Sequence, residues 1–179
     1  MEQYYTLRVA GLTRELKRYP VSDALDIAAF ILFGDVEMTI ACARELLNKA
    51  PEFDVIFTPE AKSIPLAYEM SRQSGKPYVV ARKGVKIYMG TPIEVSVRSI
   101  TTQRTQSLYV GEEDAAMLRG KRALVVDDVI STGESLAAMK ELALRSGAEL
   151  AGCCAVLAEG EAQKRQDIFY LAPLPLFTK

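Results

Sequence analysis

The stretch VVDDVISTGES, residues 125–135, joins two neighbouring carboxylates to a turn rich in hydroxyl groups and glycine. The apolar residues before it, in KRALVV, predict a strand that is buried on both faces, as strands of parallel sheets are. Helical spacing of apolar residues begins at Ser135 and continues to Gly147. The stretch therefore predicts a strand, a polar turn and a helix. Its acids, Asp127 and Asp128, are expected at the carboxyl end of the strand, where open α/β sheets bind ligands.

Strands and helices alternate along most of the chain, and this order predicts an α/β fold. We expect a central, mainly parallel sheet flanked by helices. The predicted strands cover residues 53–58, 77–81, 122–127 and 149–157, with a further edge strand in 167–177. The predicted helices cover residues 35–50, 63–75, 112–120 and 135–147.

The N-terminal part precedes this alternation and is expected to form a hood over one end of the sheet. We expect residues 1–50 to supply the hood and the first helix, residues 51–179 the α/β core, and the whole chain a single domain. Within the hood, the segment SDALDIAAFILFGD has Ser22 or Asp23 as its candidate N-cap and predicts a helix over residues 22–35.

Residues 82–111 differ from the rest because they are rich in β-branched and polar residues and poor in helix formers. EVSVRSI, residues 94–100, and QSLYV, residues 106–110, predict two paired strands. TTQRT, residues 101–105, is the expected exposed tip. The segment therefore predicts a flexible β-arm of the kind that covers binding sites.

The composition excludes several classes of function. The formal net charge of the 179 residues is −1, so we expect neither nucleic acid nor a membrane surface as a partner. The first residues, MEQYYTLRVAGLTREL, lack the apolar segment of a signal peptide, and a cytoplasmic location is expected. The chain has no histidine, which excludes Ser-His-Asp triads and HExxH zinc sites. Its three cysteines lack metal-ligand spacing and are expected to be buried thiols.

The turn after the acids has the features of an anion site. A helix N-terminus presents unpaired N–H groups and a partial positive charge, and hydroxyls add donors. The residues of this predicted phosphate nest are Ser131, Thr132, Gly133, Glu134 and Ser135. The turn alone is also compatible with a plain helix cap, and the acid pair alone with a magnesium site.

One ligand matches both halves of the motif. Asp127 and Asp128 would repel a phosphate, but they suit vicinal hydroxyls or Mg²⁺. A ribose 5-phosphate has its phosphate for the turn and its 2- and 3-hydroxyls for the acids. Neither a GxxxxGK[ST] nor a GxGxxG sequence occurs in the chain, which argues against nucleoside triphosphates and dinucleotides.

VVDDVISTGES closely resembles the phosphoribosyl-pyrophosphate motif of type I phosphoribosyltransferases, and the order of elements matches that family over nearly the whole chain. The nearest likeness is to the adenine and xanthine branch, whose fold has an N-terminal hood and a flexible β-arm. The resemblance identifies FTPEAKSIPLA, residues 57–67, as the pyrophosphate loop, with a non-proline cis peptide bond within residues 60–63. It implies substrate contacts from Ala61, Lys62 and Ser63.

The resemblance also implies an activity. A purine phosphoribosyltransferase of adenine or xanthine type transfers phosphoribosyl from phosphoribosyl pyrophosphate to a purine base and releases pyrophosphate. Asp127 and Asp128 would hold the ribose and, indirectly, Mg²⁺, while Arg82 and Lys83 of VVARKG would act on pyrophosphate. The arm would close over the site. A homodimer is implied as well.

The arm also leaves alternatives open. Adenine enzymes carry a glutamate in this arm and xanthine-type arms a lysine, whereas residues 95–109 contain no acid and Thr102 stands at the lysine position. A non-enzymatic regulator that binds phosphoribosyl pyrophosphate or a nucleotide is therefore the alternative function, and a pyrimidine-type transferase, such as one for orotate, is a third. For a purine, Phe30 or Phe33 is the candidate stacking ring, and packing between the hood and the core is the alternative role of this stretch.

Overall fold

The computed structural model describes residues 3–98 and 105–178. Within these residues the chain forms eleven strands and four α-helices. The strands are β1 (Tyr4–Val9), β2 (Leu12–Ser22), β3 (Leu25–Ala28), β4 (Val55–Pro59), β5 (Tyr78–Ala81), β6 (Ile93–Arg98), β7 (Thr105–Val110), β8 (Arg122–Ile130), β9 (Glu149–Glu159), β10 (Phe169–Leu174) and β11 (Phe177–Thr178). The helices are α1 (Val36–Lys49), α2 (Ile64–Ser74), α3 (Glu112–Leu118) and α4 (Glu134–Arg145).

A five-stranded sheet in the order β10-β9-β8-β4-β5 forms the centre of the molecule. Each neighbouring pair in this sheet is parallel. The predicted α/β class, the parallel sheet and the edge strand in the tail are thus confirmed. The strand β8 lies in the middle, and its residues from Ala123 to Val126 are buried, as its unbroken apolar run predicts.

Helices cover both faces of this sheet. On one face, α1 and α2 pack with the hood against side chains that include Leu124 and Val126. On the other face, α3 and α4 pack against side chains that include Val125. The neighbouring thiols of Cys153 and Cys154 lie in different clusters because successive strand residues point to opposite faces. Both are buried and free, as expected.

The hood is a four-stranded antiparallel sheet in the order β1-β2-β3-β11. The predicted helix over residues 22–35 is wrong, because part of that segment forms the strand β3. Burial in β3 alternates with period two, and its Asp26 and Ala28 are buried. The partners that favour the strand are β2 and the distant β11, so pairing between remote segments overrides the local helical pattern.

The arm is an antiparallel hairpin of β6 and β7, in register from Ile93 with Val110 to Arg98 with Thr105. The two predicted strands are confirmed in this region. The tip, residues 99–104, lies outside the described residues. The base of the hairpin is fixed to the core because the backbones of Arg82 and Tyr109 exchange two hydrogen bonds of 2.8 Å.

Among the described residues, no helix has the length and apolar content needed to cross a membrane.

The difference in burial between two leucines predicts a large difference in how much each contributes to stability. Leu124 of β8 is fully buried, whereas Leu144 of α4 is 58% exposed. We expect Leu124→Ala to lower the free energy of unfolding by about 2–5 kcal/mol through lost packing and a residual cavity. The same change at Leu144 should cost less than about 0.5 kcal/mol. Urea melts of both variants measure the difference, and equal costs would contradict the assigned core.

Candidate active site

The two acids of the opening motif lie inside a strand and not at its end. Strand β8 continues to Ile130, and its ladder with β9 pairs Asp127 with Ala155. The expectation that the acids sit at the strand end is therefore wrong in detail. The ladder between β8 and β4, however, joins only residues 123–125 to 55–57. After Val125, the edge of β8 that carries the acids lies beside the loop of residues 60–63.

Asp128 carries the more buried carboxylate of the pair. Its side chain is 4% exposed, and its Oδ2 lies 2.9 Å from Nζ of Lys62, whose side chain is 55% exposed. This oxygen accepts no hydrogen bond of standard geometry from the described residues. The ammonium therefore balances the buried charge, and because this oxygen has almost no exposed surface, a hydroxyl or a metal-bound water reaches it only when Lys62 moves aside.

Asp127 is half-buried, and its Oδ1 accepts a 2.9 Å hydrogen bond from the backbone N–H of Asp128. Burial raises the pKa of the Asp127 carboxyl well above its ordinary value, and the neighbouring charge of Asp128 raises it further. The cause is that desolvation and a like charge both disfavour the ionised form. A bound cation or a pair of hydroxyl donors would favour the ionised form again.

The loop of residues 60–63 joins β4 to α2 and carries a cis peptide bond between Glu60 and Ala61, which confirms the expected location. Ser63 is buried, and its hydroxyl donates to the carbonyl of Pro59. Thr58 Oγ1 lies 2.8 Å from Ser63 Oγ and 2.9 Å from the carbonyl oxygen of Val126. The Ser63 side chain therefore anchors the loop to β4, and through Thr58 to β8. Ala61 and Lys62 are the exposed members of the loop.

Arg82 and Lys83 follow β5, and both contact Glu60, a residue to which the sequence patterns assign no role. Glu60 Oε2 accepts a 2.9 Å hydrogen bond from the backbone N–H of Lys83 and lies 3.3 Å from Arg82 Nε. The Lys83 amide, with the Arg82 charge, holds the pKa of the Glu60 carboxyl below its usual range. Arg82 also donates to the hydroxyl of Tyr88. Both predicted pyrophosphate residues thus lie beside the loop that carries Lys62.

The turn of residues 131–133 leads directly into α4. Gly133 has φ of 85°, a left-handed conformation that other residues adopt only with strain, so glycine is needed here. Thr132 and Ser135 are exposed, and Ser131, Gly133 and Glu134 are half-exposed. The five predicted nest residues therefore lie together at the N-terminus of α4, one short turn beyond the acids.

The sequence pattern of the phosphoribosyl transferase domain matches residues 38–171. The chain belongs to the phosphoribosyltransferase family. Hypoxanthine/guanine phosphoribosyltransferases of Methanocella arvoryzae and Methanothermus fervidus are 32% and 34% identical to it over 146 residues. These alignments cover 82% of this chain and 70% and 71% of the two relatives.

Solved structures of the same family share the fold. Adenine phosphoribosyltransferase from Thermoanaerobacter pseudethanolicus has a TM-score of 0.71 and 21% identity, over 88% of this chain and 95% of that one. The enzyme from Saccharomyces cerevisiae, in complex with adenine, has a TM-score of 0.69 and 22% identity, over 87% and 93%. The type I phosphoribosyltransferase fold predicted from the sequence is therefore confirmed.

The acid pair of this phosphoribosyltransferase has the donor chemistry for a partial magnesium site. Across residues 3–98 and 105–178, no three His, Cys, Asp or Glu side chains cluster in a way that could hold a metal on their own. Mg²⁺ commonly binds one or two carboxylates and takes its other ligands from water and substrate phosphates. Asp127 and Asp128 provide two carboxylates of that kind, and Oδ2 of Asp128 contacts the ammonium of Lys62.

The two candidate stacking rings of the phosphoribosyltransferase differ in access. Phe30 is buried in the core cluster that joins the hood to α1 and α2. Phe33 lies just before α1 and is 54% exposed. Of these two residues, only Phe33 has a ring face available to a planar ligand.

The raised pKa of Asp127 predicts how stability responds to pH. The unfolded carboxyl loses its proton near pH 4, whereas the folded one keeps it to higher pH, so the folded state binds more protons. The free energy of unfolding should therefore fall as pH rises above about 4. The Asp127→Asn side chain cannot titrate. The free energy of unfolding of this variant should therefore increase relative to that of the wild type as pH rises. Urea melts from about pH 4 to pH 8 measure this difference.

Asp23→Asn in the exposed part of the hood is the matched control, and its stability should run parallel to the wild type. Parallel profiles for Asp127→Asn and the wild type would contradict the assigned environment of Asp127.

Proposed function

We propose that the protein transfers the 5-phosphoribosyl group of phosphoribosyl pyrophosphate to a purine base and releases pyrophosphate. The observation that supports this most directly is the closeness of three groups. The acid pair, with Asp128 buried and Asp127 half-buried, lies on β8 beside the loop of residues 60–63. Lys62 lies 2.9 Å from Asp128, and residues 131–135 follow the end of the same strand. Together the acids, the cation and the anion nest match the ribose, the pyrophosphate and the 5-phosphate of phosphoribosyl pyrophosphate.

In this proposal the sugar is held at both ends. The turn of residues 131–135 binds the 5-phosphate through backbone N–H groups and hydroxyls. Asp127 and Asp128 accept hydrogen bonds from the 2- and 3-hydroxyls of the ribose. When bound, Mg²⁺ supplies charge neutralisation for the pyrophosphate, and the two acids hold it through the ribose or through water.

The leaving group is handled by cations in this proposal. Bond cleavage at the anomeric carbon develops positive charge on the sugar and negative charge on the pyrophosphate. Lys62, Arg82 and Lys83 stabilise the pyrophosphate, so catalysis depends on positioning and electrostatics. The sugar side needs little proton transfer, which suits a chain without histidine. The β6–β7 arm closes over the site and excludes water.

For the base we propose a 6-oxopurine: hypoxanthine, guanine or xanthine. The relatives at 32% and 34% identity are hypoxanthine/guanine phosphoribosyltransferases. The adenine enzymes resemble this chain at only 21% and 22% identity, which carries over the fold alone. The acid-free segment 95–109 also departs from the adenine pattern. The exposed ring of Phe33 is the proposed stacking surface.

A second candidate function is a regulator that binds phosphoribosyl pyrophosphate without turnover. The observation that favours it is the pairing of cations with acids, since Glu60 engages Arg82 and Asp128 engages Lys62. In a protein that only senses the ligand, these cations can stay paired with acids because they have no leaving group to stabilise.

Incubation with phosphoribosyl pyrophosphate, Mg²⁺ and one base at a time separates these functions. We expect nucleotide and pyrophosphate to form in equal amounts with hypoxanthine, guanine or xanthine. Turnover with adenine alone would overturn the choice of base, and turnover with orotate alone would assign a pyrimidine-type transferase. Binding of ribose 5-phosphate without turnover of any base would assign the regulator.

The acid pair predicts a loss of sugar binding. Asp127→Asn with Asp128→Asn removes two charged acceptors for the ribose hydroxyls, and we expect the affinity for ribose 5-phosphate to fall about tenfold to a hundredfold. Isothermal titration calorimetry measures the change, and circular dichroism checks the fold. Asp23→Asn is the control. Unchanged affinity in a folded double variant would remove the role given to these acids.

A further inference from the structure

A guanidinium lies against the backbone of the turn that is proposed to bind phosphate. Arg165 follows the 3-10 turn Gly160–Lys164, which comes after β9. A Cβ atom built on Gly133 would lie 2.7 Å from Nη1 of Arg165 and 3.5 Å from its Cζ. No sequence pattern points to Arg165, because it is about 30 residues from the turn and belongs to no known motif.

The guanidinium is held in this position by an acid on its other edge. Asp167 accepts from Arg165 Nε through Oδ1 at 2.9 Å and from Nη2 through Oδ2 at 2.7 Å, a bidentate arrangement. Lys140 of α4 donates to the same Oδ2. Two cations thus share one carboxylate, and Nη1 is the amino group directed at the turn. Within these three side chains, the two cations outnumber the single carboxylate.

The N-terminal turn of α4 and Arg165 both carry positive charge, and the acid Glu134 in that turn offsets part of it. The N-terminus of α4, which begins at Glu134, carries roughly half a positive charge from its aligned peptide dipoles. A guanidinium beside the same terminus adds repulsion. A phosphate in the turn reverses the sign of this interaction, because the helix terminus and the guanidinium both attract it. Arginine is also the side chain whose planar donors best match a phosphate.

We infer that Arg165 is a further substrate-binding residue, whose Nη1 donates to the 5-phosphate of the ribosyl donor in the turn of residues 131–135. The inference rests on the proposed function, because it assumes that a sugar phosphate occupies the turn. It adds a side-chain cation to a phosphate site that otherwise consists of backbone amides and hydroxyls. The contribution is to binding of the donor and not to cleavage of the bond.

The test compares Arg165→Gln and Arg165→Lys with the wild type. We expect Arg165→Gln to weaken ribose 5-phosphate about tenfold to a hundredfold and Arg165→Lys to weaken it less, since lysine keeps the charge but lacks the fork. Pyrophosphate alone, which binds at the other end of the donor, should keep its affinity. In turnover assays, KM for phosphoribosyl pyrophosphate should rise with little change in kcat, because the 5-phosphate is not altered in the reaction.

Arg119→Gln is the matched control, since Arg119 is exposed and lies near Gly147 at the amino end of the parallel sheet. Wild-type affinity of Arg165→Gln for ribose 5-phosphate would overturn the inference while leaving the proposed function intact. Equal losses for ribose 5-phosphate and pyrophosphate would also overturn it, because they would indicate a general disturbance of the site. A wild-type protein that neither binds ribose 5-phosphate nor forms nucleotide would overturn the proposed function, and this inference with it.

Discussion

The site depends on one constraint: a buried carboxylate stands at a strand edge that the neighbouring strand leaves open. Asp128 is enclosed within β8, and a charge in that position requires a nearby opposite charge. The β4 ladder stops short of the acids, so the loop of residues 60–63 can bring Lys62 to them. Thr58 and Ser63 tie the same loop to β4 and β8. One gap in the hydrogen-bonding of the sheet therefore leaves room beside the acid pair for the loop and its cation.

Acids hold the cations around the site in place. Lys62 faces Asp128, Arg82 faces Glu60, and Arg165 faces Asp167. Each pair fixes a flexible basic side chain close to where a substrate anion is proposed to bind. A side chain that is already ordered loses less entropy when a ligand binds. Its ion pair with the protein acid, however, must then be weakened or shared with the ligand.

The sequence predicted those parts of the fold and site that depend on local patterns. The apolar run before Asp127, the glycine at 133 and the helical spacing after it were enough for the strand, the turn and the helix. The β3 strand could not be predicted, because its partners are distant in sequence. Glu60 and Arg165 were missed for a related reason, since only the folded chain brings them to Arg82 and to Gly133. Contacts that pair remote segments carry no periodic signal.

The hood has a consequence for how the chain folds. The strand β11 is the partner of β3, although almost the whole chain separates them, so the hood sheet joins the earliest and the latest strands of the described chain. Pairing between such distant segments is slow because a large loop must close first. On the ribosome, the α/β core can begin to assemble while the hood still has an uncovered edge. That edge stays a site for mispairing with another chain until Phe177 and Thr178 have emerged.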